Sequence, residues 1–266
     1  MTAGNPLFAT LAAAIKADEP VALLSVIDGL GLGNHLLVRP DLEPMGTLGN
    51  DELDRVAARD ALGELQVGRT GIRHYGPDGQ QREDAVSVFI ESYAPPPRML
   101  IFGAVDFTAA LANVAKFLGY RVTVCDARPM FATKKRFPRA DVVAVDWPNR
   151  LLDEVGEQLG ERDAVAVLTH DAKFDIPAIT SALKTDVGYI GVMGSRRTHD
   201  DRTKRLIDSG LTNEELARLR SPIGIDLGGR TPEETAISIV AEIIALRTGR
   251  AIPALKHAEG SIHRDL

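Results

Sequence analysis

The sequence predicts an α/β protein: a doubly wound parallel sheet in the carboxy-terminal part, preceded by a smaller α+β region. Three observations carry this prediction. Downstream of residue 98, short apolar runs alternate with helical patterns, the rhythm of a parallel sheet covered on both faces. The consecutive prolines Pro95, Pro96 and Pro97 form a stiff connector that neither a helix nor a central strand accommodates. Upstream of them the chain mixes apolar runs with one long helical pattern. The predicted organisation is a domain over 1–94, a linker over 95–98, a second domain over 99–250 and a tail over 251–266.

The elements follow in order. The run from Leu7 to Ala17, interrupted by Lys16, reads as a short amphipathic helix. It lacks the basic start and long apolar core of a signal peptide. Val21 to Ile27, closed by Asp28 and Gly29, reads as a strand, as do His35 to Val38 and Val86 to Ile90. From Asn50 to Leu65, the apolar residues Leu53, Val56, Ala57, Ala61, Leu62 and Leu65 fall at helical spacing.

Beyond the prolines, five strands are expected: Met99 to Phe102, Arg121 to Cys125, Val142 to Val145, Ala164 to Leu168 and Val187 to Ile190. Helical segments run up to Leu118 and Gly119, near Leu151 to Leu159 and over Ile176 to Leu183. The expected strand order is 3-2-1-4-5. The last helix spans Pro232 to Arg247, with Thr231 as N-cap, Pro232 at the first position and Glu234 completing a capping box. Gly249 is its expected stop, and Ala236, Ile237, Val240, Ile243 and Ile244 its expected buried stripe.

Composition excludes several classes of function. The 266 residues are 44% hydrophobic and 26% charged, ordinary values for a globular chain. With 31 basic against 37 acidic residues and a net charge of −6, a sequence-independent nucleic-acid binder is not expected. The single cysteine, Cys125, excludes a disulfide framework and any multi-cysteine metal site, and fits a reducing compartment. It lies in an apolar strand and reads as a core residue. No stretch reaches the about 18 apolar residues of a membrane span, so a cytoplasmic protein is expected. His257 and His263 fall in an expected frayed tail.

A doubly wound sheet binds ligands beyond the carboxyl ends of its strands, where the winding reverses. Strands one, four and five end there, and each is followed by polar or glycine residues. The first loop, Gly103-Ala104-Val105-Asp106, is a degraded G-x-G-x-x-G fingerprint, with Val105 and Thr108 in the second and third glycine positions. That substitution predicts weak NAD binding. Asp126, 23 residues after Gly103, stands where an acidic residue holds a ribose hydroxyl. The plainer alternative is that Gly103 makes the turn and Asp126 satisfies backbone.

The second loop, Thr169-His170-Asp171, offers an imidazole and a carboxylate for ligand contact or proton transfer, with Asp175 close by. A lone histidine at a strand end is commonly only hydrogen-bonded, and no metal site is expected. The third loop holds Gly191, Gly194, Ser195, Arg196 and Arg197. It combines donors and positive charge at a helix start, which suits an anion. Arginines in a first turn oppose the helix dipole, which weakens a purely structural explanation. A fourth segment, Gly228-Gly229-Arg230 before the capped helix, is either a second such site or an elaborate helix start.

Residues from about Pro97 to Gly249 resemble the carboxy-terminal Rossmann domain of the XdhC/CoxI family. The stretches that carry the resemblance include Met99 to Gly103, Gly119 to Pro129, Arg136-Phe137-Pro138, Thr169 to Asp175, Tyr189 to Arg197 and Pro222 to Glu234. The resemblance implies a Rossmann-like domain and an accessory protein for xanthine dehydrogenase and related molybdenum hydroxylases. Such a protein binds molybdenum cofactor, as molybdopterin or its dinucleotide form, and assists its sulfuration and insertion. It implies as partners a molybdenum hydroxylase, a cysteine desulfurase and a second copy of the chain; the cofactor contacts expected at the strand-end loops are Gly103, Asp106, Asp126, Arg128, His170, Asp171, Gly191, Gly194, Ser195, Arg196, Arg197 and Arg230.

The chain departs from the family pattern in two places. The family's amino-terminal glycine-glycine-cysteine motif aligns with Met45-Gly46-Thr47-Leu48-Gly49-Asn50-Asp51-Glu52, which has no cysteine. Val105-Asp106 stands where the family usually has Gly-His. Two alternatives therefore stay open: a relative acting through protein contacts without ligating cofactor, and an NAD(P)-dependent oxidoreductase.

Overall fold

The computed structural model describes residues 6–80, 85–169 and 171–248. It divides into two compact units, Met1–Pro95 and Pro96–Leu266.

The first unit contains helix α1 (Pro6–Lys16), strands β1 (Val21–Gly29), β2 (His35–Val38) and β3 (Met45–Gly46), helix α2 (Asp51–Val67), and strands β4 (Gly71–Tyr75) and β5 (Val86–Tyr93). The sheet is antiparallel, in the order β3-β2-β1-β5-β4. Central β1 reads as a continuous apolar run because both of its faces are covered. Ala22, Leu24 and Val26 pack with Leu53, Val56, Ala57 and Ala61 of α2, whereas Val21 and Leu23 pack with Leu7, Leu11 and Ala14 of α1. Strand β4 went unforeseen because it is an edge strand whose Ile72, Arg73 and His74 are exposed.

The second unit contains β6 (Arg98–Phe102), α3 (Asp106–Phe117), β7 (Arg121–Cys125), β8 (Val142–Ala144), α4 (Pro148–Val155), β9 (Ala164–Val167) and α5 (Ala172–Leu183). It continues with β10 (Tyr189–Val192), α6 (Arg196–Asp208), α7 (Asn213–Leu216), β11 (Leu219–Arg220) and α8 (Pro232–Arg247). The six strands are parallel, in the order β11-β10-β9-β6-β7-β8. This is the expected 3-2-1-4-5 winding with one two-residue strand added at the edge. Alternate residues of β6 feed opposite cores: Met99 and Ile101 face the α3 and α8 side, Leu100 and Phe102 the α4, α5 and α6 side. The fifth core strand lies two residues later than expected. Gly188 is pressed so close to the Glu161 backbone that pairing with β9 begins only at Tyr189.

Helix α8 starts as expected, with the Thr231 hydroxyl accepting from Glu234 N at 3.2 Å and Glu234 Oε2 accepting from Thr231 N at 3.0 Å. Its buried stripe differs from the expected one. Ile237 and Ile244 are exposed, and Ser238, Ile239 and Glu242 are buried instead. The polar residues turn inward because each has a partner there. Ser238 Oγ donates to Ile225 O, and Glu242 Oε2 accepts from Tyr189 OH at 2.8 Å and Gly224 N at 2.9 Å. Gly249, the expected stop, and the expected tail lie outside the described residues.

Candidate functional site

The strand ends bring the first three loops to one crevice. Leu168 N donates to Phe102 O and Met193 N to Val167 O, each at 2.8 Å, so β6, β9 and β10 release their loops side by side. Gly103 has φ of +107°, and a Cβ there would lie 2.7 Å from Thr169 Cγ2 and 3.0 Å from Thr169 N. The glycine is thus required by both the turn and the contact between the first two loops.

The loop leading into α3, the usual pyrophosphate seat of such a sheet, is braced by the protein's own side chains. Asp126, buried at the end of β7, accepts from Ala104 N at 2.7 Å, Arg128 N at 2.9 Å, Arg128 Nε at 2.8 Å and Arg128 Nη2 at 2.7 Å. These bonds use the roughly four lone-pair sites of a carboxylate, so none remains for a ribose hydroxyl. Burial pushes the Asp126 carboxyl up, but the Arg128 guanidinium and the two amides overcome it and hold it below the usual carboxylate range. Arg136 closes the other side, donating to Ala104 O at 3.0 Å and lying 3.6 Å from Asp106. Asp106 itself is 91% exposed, with Arg136 as its ion-pair partner.

The second and third loops are tied by a buried ion pair. Arg202, on α6, donates through Nη2 to Asp175 Oδ2 and to Met193 O, each at 2.9 Å, and through Nη1 to Ser221 Oγ at 3.4 Å. Asp175 in turn accepts from the Thr169 hydroxyl. Both charged side chains are 5% exposed or less. Asp171 caps α5 by accepting from Lys173 N at 3.0 Å, and its charge adds to the field that raises the Arg128 guanidinium. His170 lies outside the described residues.

Helix α6 presents a different mouth. Ser195 caps it, accepting from Thr198 N at 3.2 Å, and its first turn holds no acidic residue. Arg196 is half-buried and Arg197 exposed, and neither side chain bonds or pairs with any described residue. Gly194 adjoins the cap, with Thr198 Cβ 3.2 Å from where its side chain would begin. Gly191 lies inside β10, and Ile223 fills the space its side chain would need, with Cδ1 2.4 Å away. Arg230 N donates to Glu234 Oε2 at 2.6 Å, so this residue takes part in the start of α8.

Sequence reasoning missed Arg202 and Arg136. The spacing that turns Leu206 inward also turns Arg202 inward, four residues earlier, a signal legible in retrospect. Arg136 reaches Ala104 across 32 residues of sequence and left no local signal. Among the described residues, no group of three or more His, Cys, Asp or Glu side chains is placed to hold a metal ion. No helix among them is long and apolar enough to cross a membrane.

A doubly wound parallel sheet, following an antiparallel α+β unit in sequence, defines a Rossmann-type α/β protein. The family model described as the XdhC Rossmann domain matches residues 99–243, and that of the XdhC and CoxI family matches residues 14–76. The chain belongs to the XdhC and CoxI family. It is 35% identical over 170 residues to a probable xanthine dehydrogenase subunit of Bacillus subtilis, covering 64% of this chain and 49% of the Bacillus protein. It is 27% identical over 159 residues to the molybdenum cofactor insertion chaperone PaoD of Escherichia coli, covering 60% of this chain and 43% of the chaperone. The chain thus spans about half the length of these curated relatives or less. A crystal structure of a xanthine dehydrogenase from Bacillus halodurans shares the fold, with a TM-score of 0.55 and 21% identity, covering 92% of this chain and 96% of that one.

Proposed function

We propose that this chain is an accessory protein that binds molybdenum cofactor, as molybdopterin or its dinucleotide form. In this reading it assists sulfuration and insertion of the cofactor into a molybdenum hydroxylase of the xanthine dehydrogenase type. Family membership supports the class of function, and a relative named for cofactor insertion supports the cofactor. The observation that carries the site is the mouth of α6. Arg196 and Arg197 stand there beside the Ser195 cap without a partner among the described residues, and the first turn holds no carboxylate. Positive charge opposing a helix dipole costs stability, and a bound phosphate would offset that cost.

The donor set fits the phosphate end of such a cofactor, whose metal end supplies the chemistry of the target enzyme. It offers the metal end no thiolate. Cys125 is the sole cysteine, and it is buried with Sγ donating to Asp146 O at 3.2 Å. Burial pushes its thiol up to about 12, which leaves it neither a ligand nor a carrier of sulfur. Sulfur delivery therefore falls to a partner with its own reactive cysteine, a cysteine desulfurase. In this reading Gly103, Asp171 and Gly194 to Arg197 line the crevice, and the Asp126–Arg128 pair forms a fixed wall. The Val105 side chain in the second glycine position and the engagement of the Asp126 carboxylate by Ala104 and Arg128 disfavour the NAD(P)-dependent alternative.

The test is binding of a pterin phosphate to Arg196→Ala, Arg197→Ala, the double variant and Ser195→Ala, with circular dichroism as the folding control. Losing a charge-assisted contact costs about 1.5–3 kcal/mol, or about 10–150-fold in affinity. Arg196→Ala is expected to weaken binding more than Ser195→Ala, which costs about 1 kcal/mol. Unchanged binding in the folded double variant would show that the loop is structural.

A further inference from the structure

We propose that Trp147, Phe174 and Lys173 form a ring-binding shelf on the α4–α5 side of the crevice, for the flat heteroaromatic part of an anionic ligand such as a pterin. The inference rests on the reading of the crevice as a pterin phosphate site and assigns the ring a place within it.

The topology makes the shelf unusual. Trp147 follows β8 and Phe174 lies in the first turn of α5, after β9. In the sheet, β8 and β9 are separated by β7 and β6, a span of three strand spacings or about 14 Å. The two rings nevertheless approach to 5.0 Å between centroids, tilted by 46°. Both elements start at the carboxyl edge of the sheet, as the bonds Asp126 N to Ala144 O and Cys125 Sγ to Asp146 O fix for the Trp147 side. The rings therefore meet where the N-terminal ends of α4 and α5 lie side by side on one face of the sheet, near its carboxyl edge.

The pair is also incompletely buried. Trp147 and Phe174 are each partly buried, and Lys173 is exposed with Nζ 5.0 Å from the Trp147 centroid and 5.8 Å from that of Phe174. Two aromatic faces beneath an exposed ammonium recognise a flat π-system carrying negative charge, since stacking and cation attraction act together. The same α5 turn connects the shelf to the phosphate side. Phe174 faces Trp147, and the next residue, Asp175, pairs with Arg202 of α6.

Trp147 is the sole tryptophan of the chain, so its fluorescence reports this place alone. The full chain would be titrated with pterin-6-carboxylate and, separately, with inorganic phosphate, in the wild type, Lys173→Ala and Phe174→Leu. Saturable quenching by the pterin is expected, weakened about five- to tenfold in each variant, while phosphate leaves the emission unchanged. Lys173→Ala changes an exposed side chain and keeps the test sound if Phe174→Leu fails to fold. Absence of quenching, or quenching whose affinity in both variants equals that of the wild type, would overturn the shelf. Phosphate binding that Arg196→Ala and Arg197→Ala abolish would then leave the α6 seat standing, whereas its absence as well would remove both.

Discussion

Replacing Arg202 by alanine tests how the crevice is held together. Its guanidinium joins the α5 turn through Asp175, the β10 loop through Met193 O and the segment after β11 through Ser221. The side chains of the ion pair are 5% and 3% exposed, so removing the cation leaves a carboxylate in a low-dielectric interior. Breaking such a pair from one side costs about 3–5 kcal/mol, a large share of the roughly 5–15 kcal/mol that keeps a domain folded. For a domain of this size, each kcal/mol lowers the midpoint by about 2–4 °C, which gives a fall of about 6–20 °C. Trp147 lies in the same unit, so thermal and urea unfolding followed by tryptophan emission read that unit. Arg202→Met combined with Asp175→Asn removes both charges at similar volume and is expected to cost less than the sum of the single changes by about 0.5–3 kcal/mol. A cost below about 1 kcal/mol for Arg202→Ala, or a double variant as unstable as the sum of the singles, would refute the reasoning.

Two further outcomes follow from the electrostatics. The Asp126 carboxyl is held below its unfolded value, so its contribution is complete above about pH 4 and is lost as pH falls through the folded value. Asp126→Asn is therefore expected to flatten the acid limb of the stability curve, and an unchanged limb would count against the Arg128 clasp. Cys125, buried with its thiol pushed up to about 12, is expected to resist a thiol reagent at pH 8 in the native chain and to react fully on unfolding. Rapid labelling of the native protein would contradict its burial.

Much of the second unit was legible because parallel strands covered on both faces announce themselves as short apolar runs. The capping box at Thr231 to Glu234 is likewise local chemistry, and it was read in place. What sequence reading missed depends on partners far along the chain. Ser238 and Glu242 look like surface positions until Ile225, Tyr189 and Gly224 are brought to them. The stripe on α8 was therefore turned to include Ile237 and Ile244, which an apolar helix with buried polar residues leaves exposed. Strands β3 and β11 have two residues each, too few for any periodicity to register. At the crevice, Gly103 and Ser195 carried signals in their own turns. That Asp126 satisfies backbone was one of the two readings its position allowed, whereas the bond from Arg136 to Ala104 O, 32 residues away, had no local signal.

The stretch Met45 to Glu52, where the family's glycine-glycine-cysteine motif aligns, is a helix start in this chain. Its polar groups are spent on starting α2. Asn50 Oδ1 accepts from Glu52 N at 2.8 Å and Leu53 N at 3.2 Å, while its Nδ2 donates to Asp78 at 3.1 Å. Leu48 N donates to Asp54 Oδ1 at 2.6 Å, and Gly49 N to the Thr47 hydroxyl at 2.9 Å. Gly46, at φ of +94°, lies with its missing Cβ 2.3 Å from His35 O, so the turn sits tightly against β2. These donors already serve the helix start, and Asp51, Glu52 and Asp54 give that first turn a negative charge. Under the proposed reading, an anionic cofactor would meet repulsion there and attraction at Arg196 and Arg197, the first turn of α6 holding no acidic residue.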